Sequence, residues 1–355
     1  MNVFFDIQHL YYLPQYLPVK SALEKNGVHC HFVLYNQKQL QAVLISCVEK
    51  EKLNYTLVED STEASVLYLN KKPHWIIFGN AFNDLKTINT TSKTALMQHG
   101  IGPKSCYYDV SKSDITYRFV EGQHRLKRLQ NLFPQKTFID TGYAKLDPII
   151  NQTFNRVNLA ELGLDPKKKT ILYAPTFYPS SIECLPCNFP ALVEQYNLII
   201  KPHFFSLIKK KYKNQQQVLK RWSTYNNVYV SPIEETSIIP FMGIADLLFS
   251  DASSTIFEFT ALNKPAIWCD FYKVRWTYRG IFKWRLNDRL DDDLKYFGKV
   301  ACQTKNIKQL IHEISNQLQH PELKEAERLE MTELLTGTVD GKCSERIANF
   351  ITSEA

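Results

Sequence analysis

No run of about 18 or more apolar residues occurs anywhere in the 355-residue chain, so no membrane-spanning helix is expected. Low-complexity tracts are absent as well, which sets the chain apart from disordered and fibrous proteins. The opening residues, MNVFFDIQHLYYLP, carry Asp6 and lack a basic leader followed by an apolar core. A secretory signal is therefore not read, and the expected compartment is the cytoplasm. Eight cysteines are scattered along the chain, and Cys184 and Cys187 form the one CxxC pair, without a second pair at zinc-ribbon spacing or a histidine close by. That pair reads as a loop, and Cys47, Cys269 and Cys302, set in apolar segments, read as reduced, buried thiols.

What is present describes a globular protein with 44% hydrophobic residues and enough length for two domains with full cores. A formal charge of +7 favours anionic partners. Nucleotide diphosphates, anionic lipid headgroups and RNA all qualify on charge alone.

Short β-rich runs alternate with helical stretches, the rhythm of parallel sheets built from strand-helix-strand units. Strands are expected near 3–5, 30–34, 75–78, 95–98, 115–120 and 137–140, then 170–174, 198–201, 228–230, 246–250 and 266–269. Gly27 is placed to end the first helix. After Pro148 the sequence turns polar and restarts with a clean strand, so a domain boundary is expected there: residues 1–152 and 153–335, with 336–355 as a C-terminal helix packing back toward the first domain. Its face Ser344, Ile347, Ala348 and Ile351 suits docking. The fold class is α/β, two tandem doubly wound domains with the active site in a cleft.

Four loops follow expected strands, where open parallel sheets bind ligands. In ADLLFSDASSTIFEF (residues 245–259) a strand runs into Asp251-Ala252-Ser253-Ser254 and then a helical pattern. Such a junction can aim backbone N–H groups and two hydroxyls at a phosphate, though Asp251 or Ser253 capping the helix is the competing reading. In QHGIGPK, Gly100 and Gly102 allow close backbone approach, His99 can move a proton near neutral pH and Lys104 can meet an anion. In YAPTFY, Pro175 fixes the backbone leaving the strand and Thr176 offers a hydroxyl. Lys201-Pro202-His203 joins a cation to an imidazole, a pair able to neutralise a diphosphate.

Taken in order, HGIGPK, GYAKLD (142–147), LYAPTF (172–177), KPH, ADLLFSDASSTIFEF, KPAIWCD (264–270) and DGKCSERI (340–347) resemble the CDP-glycerol glycerophosphotransferase family, which includes the teichoic acid primases and polymerases. The resemblance runs from about His99 to the C-terminus, whereas the first 90 residues match only in style. It implies a GT-B fold with the acceptor on the N-terminal domain and the CDP donor on the C-terminal one. His99 would be the general base, His203 would contact the diphosphate with Lys201, and Ser253 and Ser254 would hold phosphate oxygens while Asp251 orders their turn. It implies no metal and no cofactor. The chain departs from the family's usual His-Gly-Thr-Pro-Leu-Lys at Ile101-Gly102-Pro103, has Phe204 after His203, and has Ala252 where a tyrosine often stands.

A last feature is FYKVRWTYRGIFKWRLNDRL (271–290): Trp276, Tyr278, Phe282 and Trp284 fall on even positions, Arg275, Arg279, Lys283 and Arg285 on odd ones. In extended backbone the rings would share one face and the cations the other. A membrane surface, a stacked nucleobase and a domain core with solvated cations are the three readings, and the anionic membrane surface is preferred, with nucleic acid not the expected partner. The reaction so implied is transfer of glycerol phosphate or a related polyol phosphate to a glycan or lipid-linked hydroxyl. A nucleotide-sugar glycosyltransferase, with Glu258 or Asp270 gripping the donor, and a non-catalytic RNA binder are the alternatives.

Overall fold

The computed structural model describes residues 1–102, 105–273 and 292–354. The chain divides into two compact units, Met1–His99 with Cys106–Asn151 and Glu333–Ala355, and Gly100–Ser105 with Gln152–Thr332.

The first unit carries a seven-stranded sheet in the order β3-β2-β1-β4-β5-β6-β7. The strands are β1 (Asn2–Ile7), β2 (His29–Tyr35), β3 (Tyr55–Val58), β4 (Trp75–Phe78), β5 (Lys93–Met97), β6 (Tyr117–Val120) and β7 (Thr137–Asp140). Every pair is parallel. Helices α1 (Leu13–Lys25), α2 (Gln41–Lys50), α3 (Ser61–Lys71) and α4 (Gly122–Leu132) cover it. Strand β4, WIIF, is buried at all four positions, as the centre of a sheet covered on both faces demands. Helix α1 begins earlier than its SALEK core suggests, because Pro14 is tolerated in the first turn. It ends where Gly27 adopts φ +72°, a left-handed conformation that a glycine takes without strain.

The second unit repeats this arrangement in six strands, β10-β9-β8-β11-β12-β13. They are β8 (Thr170–Tyr173), β9 (Asn197–Ile200), β10 (Val228–Val230), β11 (Leu247–Ser250), β12 (Ala266–Cys269) and β13 (Cys302–Thr304), again all parallel. Around them lie α5 (Phe204–Ile208), α6 (Lys213–Trp222), α7 (Thr255–Thr260) and α8 (Ile307–Gln319). Its core joins Tyr173, Phe189, Trp222, Phe249 and Ile314. The final helix, α9 (Cys343–Ser353), belongs to the first unit, with Ser344, Ile347, Ala348 and Ile351 buried.

Two strands escape the sequence reading, β3 (YTLV) and β13 (CQT). Both are edge strands, short and partly exposed, so neither needs the continuous apolar run that marks a central strand. Among the described residues no helix is long and apolar enough to cross a membrane.

Candidate functional site

In both sheets the strand order reverses beside the first strand, between β1 and β4 and between β8 and β11. Doubly wound sheets bind ligands at the carboxyl ends of the strands flanking that reversal. In the second unit, β9, β8 and β11 are neighbours, so the loops opened by Lys201, Ala174 and Asp251 emerge side by side.

Asp251 braces two loops of the second unit. Its carboxylate is fully buried and crosses the reversal, accepting from the Thr176 N–H at 2.7 Å, the Ser181 N–H at 2.8 Å and the Ser181 hydroxyl at 3.0 Å. Burial pushes its carboxyl up to about 6, against the pull of those hydrogen bonds. Thr176 donates its hydroxyl proton to the Pro179 carbonyl, and Pro175 is buried. Asp251, Thr176 and Pro175, named with the donor-binding residues in the sequence, fasten the loop after β8 to the loop after β11, and Asp251 orders this turn as the resemblance implies.

The serines divide. Ser253 Oγ accepts from the Thr255 N–H at 3.3 Å and from the Thr255 hydroxyl at 2.9 Å, which leaves its own proton for an incoming oxygen. Ser254 instead donates to the buried Glu258 at 3.0 Å. The residue that opens α7 is Ser254, in αR conformation and without a side-chain cap, while the Ser253 hydroxyl meets the first-turn Thr255 N–H, so the capping alternative holds in part at Ser253. Gly102 presses on this turn: a Cβ there would lie 3.2 Å from Ser254 Cβ and 3.4 Å from its nitrogen. Glycine at 102, one of the departures from the family loop, is what lets the chain lie so close.

After β9, His203 Nδ1 accepts from the Phe205 N–H at 3.1 Å. An acceptor at Nδ1 places the proton of the neutral ring on Nε2, which makes His203 a hydrogen-bond donor at that atom. Phe177 packs on the ring at 4.6 Å between centroids. The Lys201 ammonium donates to the Glu235 carbonyl, and burial lowers it to about 8 although Glu235 pulls the other way. The Glu235 carboxylate is itself held by Tyr229 at 2.7 Å and Ser231 at 2.8 Å. Ser253, Lys201 and His203 thus give an anion one hydroxyl, one ammonium and one imidazole N–H.

In the first unit, His99 stands two residues past β5. Its carbonyl accepts from the Tyr143 hydroxyl at 2.8 Å, and its ring stacks on Tyr12 at 4.5 Å with 13° between planes. Gly100 is buried beside it. Lys104, with Pro103, lies outside the described residues, as do Arg275, Trp276, Arg279, Lys283, Trp284 and Arg285.

The remaining motifs are structural in ways the sequence did not disclose. Asp147 of GYAKLD accepts from the Ser344 N–H at 2.7 Å, the Ser344 hydroxyl at 2.6 Å and the Cys343 N–H at 3.3 Å, all from DGKCSERI. Arg346 donates to the Thr141 carbonyl at 2.9 Å. In KPAIWCD, the Lys264 ammonium binds the carbonyls of Met242, Gly243 and Ala245. Only a paired carboxylate or cation far off in sequence betrays such ties, and spacing does not show the pairing.

A family model described as CDP-Glycerol:Poly(glycerophosphate) glycerophosphotransferase matches residues 20–353. The chain belongs to this family. It is 24% identical over 248 residues to a teichoic acid glycerol-phosphate primase of Bacillus subtilis (strain 168), covering 64% of this chain and 60% of that protein. It is 27% identical over 157 residues to a teichoic acid poly(glycerol phosphate) polymerase of Bacillus spizizenii, covering 39% of this chain and 37% of that protein. The chain thus spans less than two thirds of the length of these curated relatives. Among solved structures, the wall teichoic acid polymerase TagF superposes with a TM-score of 0.71 at 14% identity, over 100% of this chain and 88% of that one. A UDP-GlcNAc 2-epimerase of Neisseria meningitidis gives 0.61 at 14% identity, over 99% and 100%. At such identities the likeness is one of fold, the GT-B-like pairing of two parallel-sheet units. For this glycerophosphotransferase-family member, the family match covers both the QHGIGPK loop and the loops after β8, β9 and β11 of the second unit.

Proposed function

We propose that this chain transfers glycerol phosphate, or a related polyol phosphate, from a CDP-activated donor to a hydroxyl of a glycan or lipid-linked acceptor in cell-surface polymer synthesis. The acceptor oxygen attacks the phosphorus that bears the polyol, the bond from that phosphorus to the CMP oxygen breaks, and CMP leaves with the bonding pair. His99 takes the acceptor proton. Lys201 and the Nε2–H of His203 meet the charge that develops on the bridging and non-bridging oxygens, and Ser253 donates to a third oxygen. The observation that carries this reading is the placement of Lys201 and His203 after β9 and of Ser253 after β11, the two strands that flank β8 at the reversal of the second sheet. Family membership supports the donor class, and TagF has been solved after a soak with CDPG. Glu258, buried and bound to Ser254, is poorly placed to grip a sugar, which weighs against the glycosyltransferase alternative. The alternating rings and cations of 275–285 support a peripheral site on the inner face of the membrane.

The test is product analysis with labelled CDP-glycerol and CDP-ribitol and a lipid-linked glycan acceptor. A phosphodiester product with CMP released is expected. A glycosidic product with a nucleoside diphosphate released, from a nucleotide sugar, overturns the proposal. His99→Ala should reduce turnover by about 10²-fold or more while donor affinity holds within about twofold; His203→Ala should weaken donor binding about tenfold.

A further inference from the structure

We propose that Tyr12, in the loop after β1, is the positioning residue for His99, holding its imidazole by the ring face. The inference rests on the reading of His99 as the general base.

The reversal of the first sheet lies between β1 and β4. In this unit the crevice is filled by the chain's own side chains. Tyr12 is 1% exposed and occupies it so tightly that a Cβ on Gly79, directly after β4, would lie 2.6 Å from Tyr12 Cδ2 and 2.5 Å from the Tyr16 hydroxyl. Glycine at 79 is therefore the condition for Tyr12 to sit there. On its other side the Tyr12 ring lies parallel to the His99 imidazole.

The main chain around His99 is fixed by other groups. Tyr16 donates to the Met97 carbonyl at 3.0 Å and Tyr143 donates to the His99 carbonyl, while Arg118 holds the Gln98 side chain at Oε1. The Tyr12 face lies along the plane of the imidazole, with the edges of Tyr11 at 5.0 Å and Tyr107 at 6.0 Å closing the slot. Tyr12 is itself braced, its oxygen bonded to Tyr11 and Asn80. Burial pushes the Tyr12 phenol up to about 12, so its ring stays neutral. His9 extends the cluster, stacked on Tyr11 at 5.1 Å and edge-on to Tyr12 at 5.7 Å. The Gln37 amide nitrogen, oriented by its bond to the Gln8 carbonyl, faces His9 Nδ1 at 3.3 Å, which favours the Nε2–H tautomer there.

A neutral phenol face does two things for a base. It fixes the direction of the nitrogen that receives the proton, and its negative quadrupole favours the imidazolium formed as the acceptor is deprotonated. Tyr12 precedes residue 20, where the family match begins, so this support lies outside the pattern that match covers.

The test compares Tyr12→Leu, Tyr12→Phe and Gly79→Ala in the full chain, reading kcat, donor KM and the titration of the His99 ring by nitrogen-15 NMR, assigned by its loss in His99→Ala. Tyr12→Leu should lower kcat roughly tenfold to a hundredfold, hold donor KM within about twofold and move the His99 midpoint down. Tyr12→Phe, which keeps the ring face, should restore most of the rate and the native midpoint. Native kcat together with an unmoved His99 titration in Tyr12→Leu overturns the proposal. Should Tyr12→Leu not fold, Gly79→Ala, which pushes the ring from the opposite side, is read by the same measurements, and native values there overturn the proposal equally. If His99→Ala turns over normally while the His99 midpoint still moves in Tyr12→Leu, the positioning role stands and the base assignment falls.

Discussion

Lys201 shows at the level of one side chain how burial and function pull against each other. Its ammonium is desolvated and so lowered to about 8. Below that pH it is charged in both folded and unfolded chains; between about 8 and the ordinary lysine value near 10.4 the folded form releases its proton first, so folding gains as pH rises through that window. Binding of a diphosphate runs the opposite way, because it needs the charge. Donor affinity should fall about tenfold from pH 7 to 9, following the protonated fraction. Lys201→Met should bind weakly with a flat profile. A flat wild-type profile, measured by calorimetry, would remove Lys201 from the donor site. Asp251→Ala strands three buried donors from Thr176 and Ser181, and should lower unfolding free energy by about 3 kcal/mol in urea melts. A loss below about 1 kcal/mol would deny it the bracing role. The types and positions of Lys201, His203 and Ser253 were legible in the sequence. The inward turn of Asp251 and Thr176 was not, because an acceptor that serves a ligand and one that serves a loop look the same until the donors around it are in place.

At the scale of elements, the long apolar strands could be read directly, since a strand covered on both faces must be apolar throughout. Edge strands β3 and β13 could not, and neither could the partner of α9. That helix shows its apolar face in its spacing, but the lock at its start is Asp147, 196 residues from Cys343. Asp147→Ala leaves the Ser344 N–H and hydroxyl and the Cys343 N–H without their acceptor, and should cost about 2–3 kcal/mol. Amide exchange should speed up first in α9. Uniform loss of protection across the first unit, with none favoured in α9, would show that the helix is held by its apolar face alone.

For the whole molecule, the two units reuse one strand order for different ends. In the second, the reversal is spanned by a carboxylate that leaves Lys201, His203 and Ser253 around it; in the first, it is filled by Tyr12, with His99 laid over the plug. The proposed reaction meets the developing charge with the Lys201 ammonium and the His203 Nε2–H, so EDTA should leave turnover within about twofold. A loss of tenfold or more, restored by Mg²⁺, would transfer that role to an ion. The sequence by itself determined the α/β class, most strands and the residues with chemistry to offer, because hydrophobic period and residue type are local properties of the chain. Only the tertiary structure decided which of those residues face outward and which hold the protein together. That choice depends on donors and acceptors brought beside each other from distant segments, and a buried polar group must be satisfied by whatever neighbours the fold supplies.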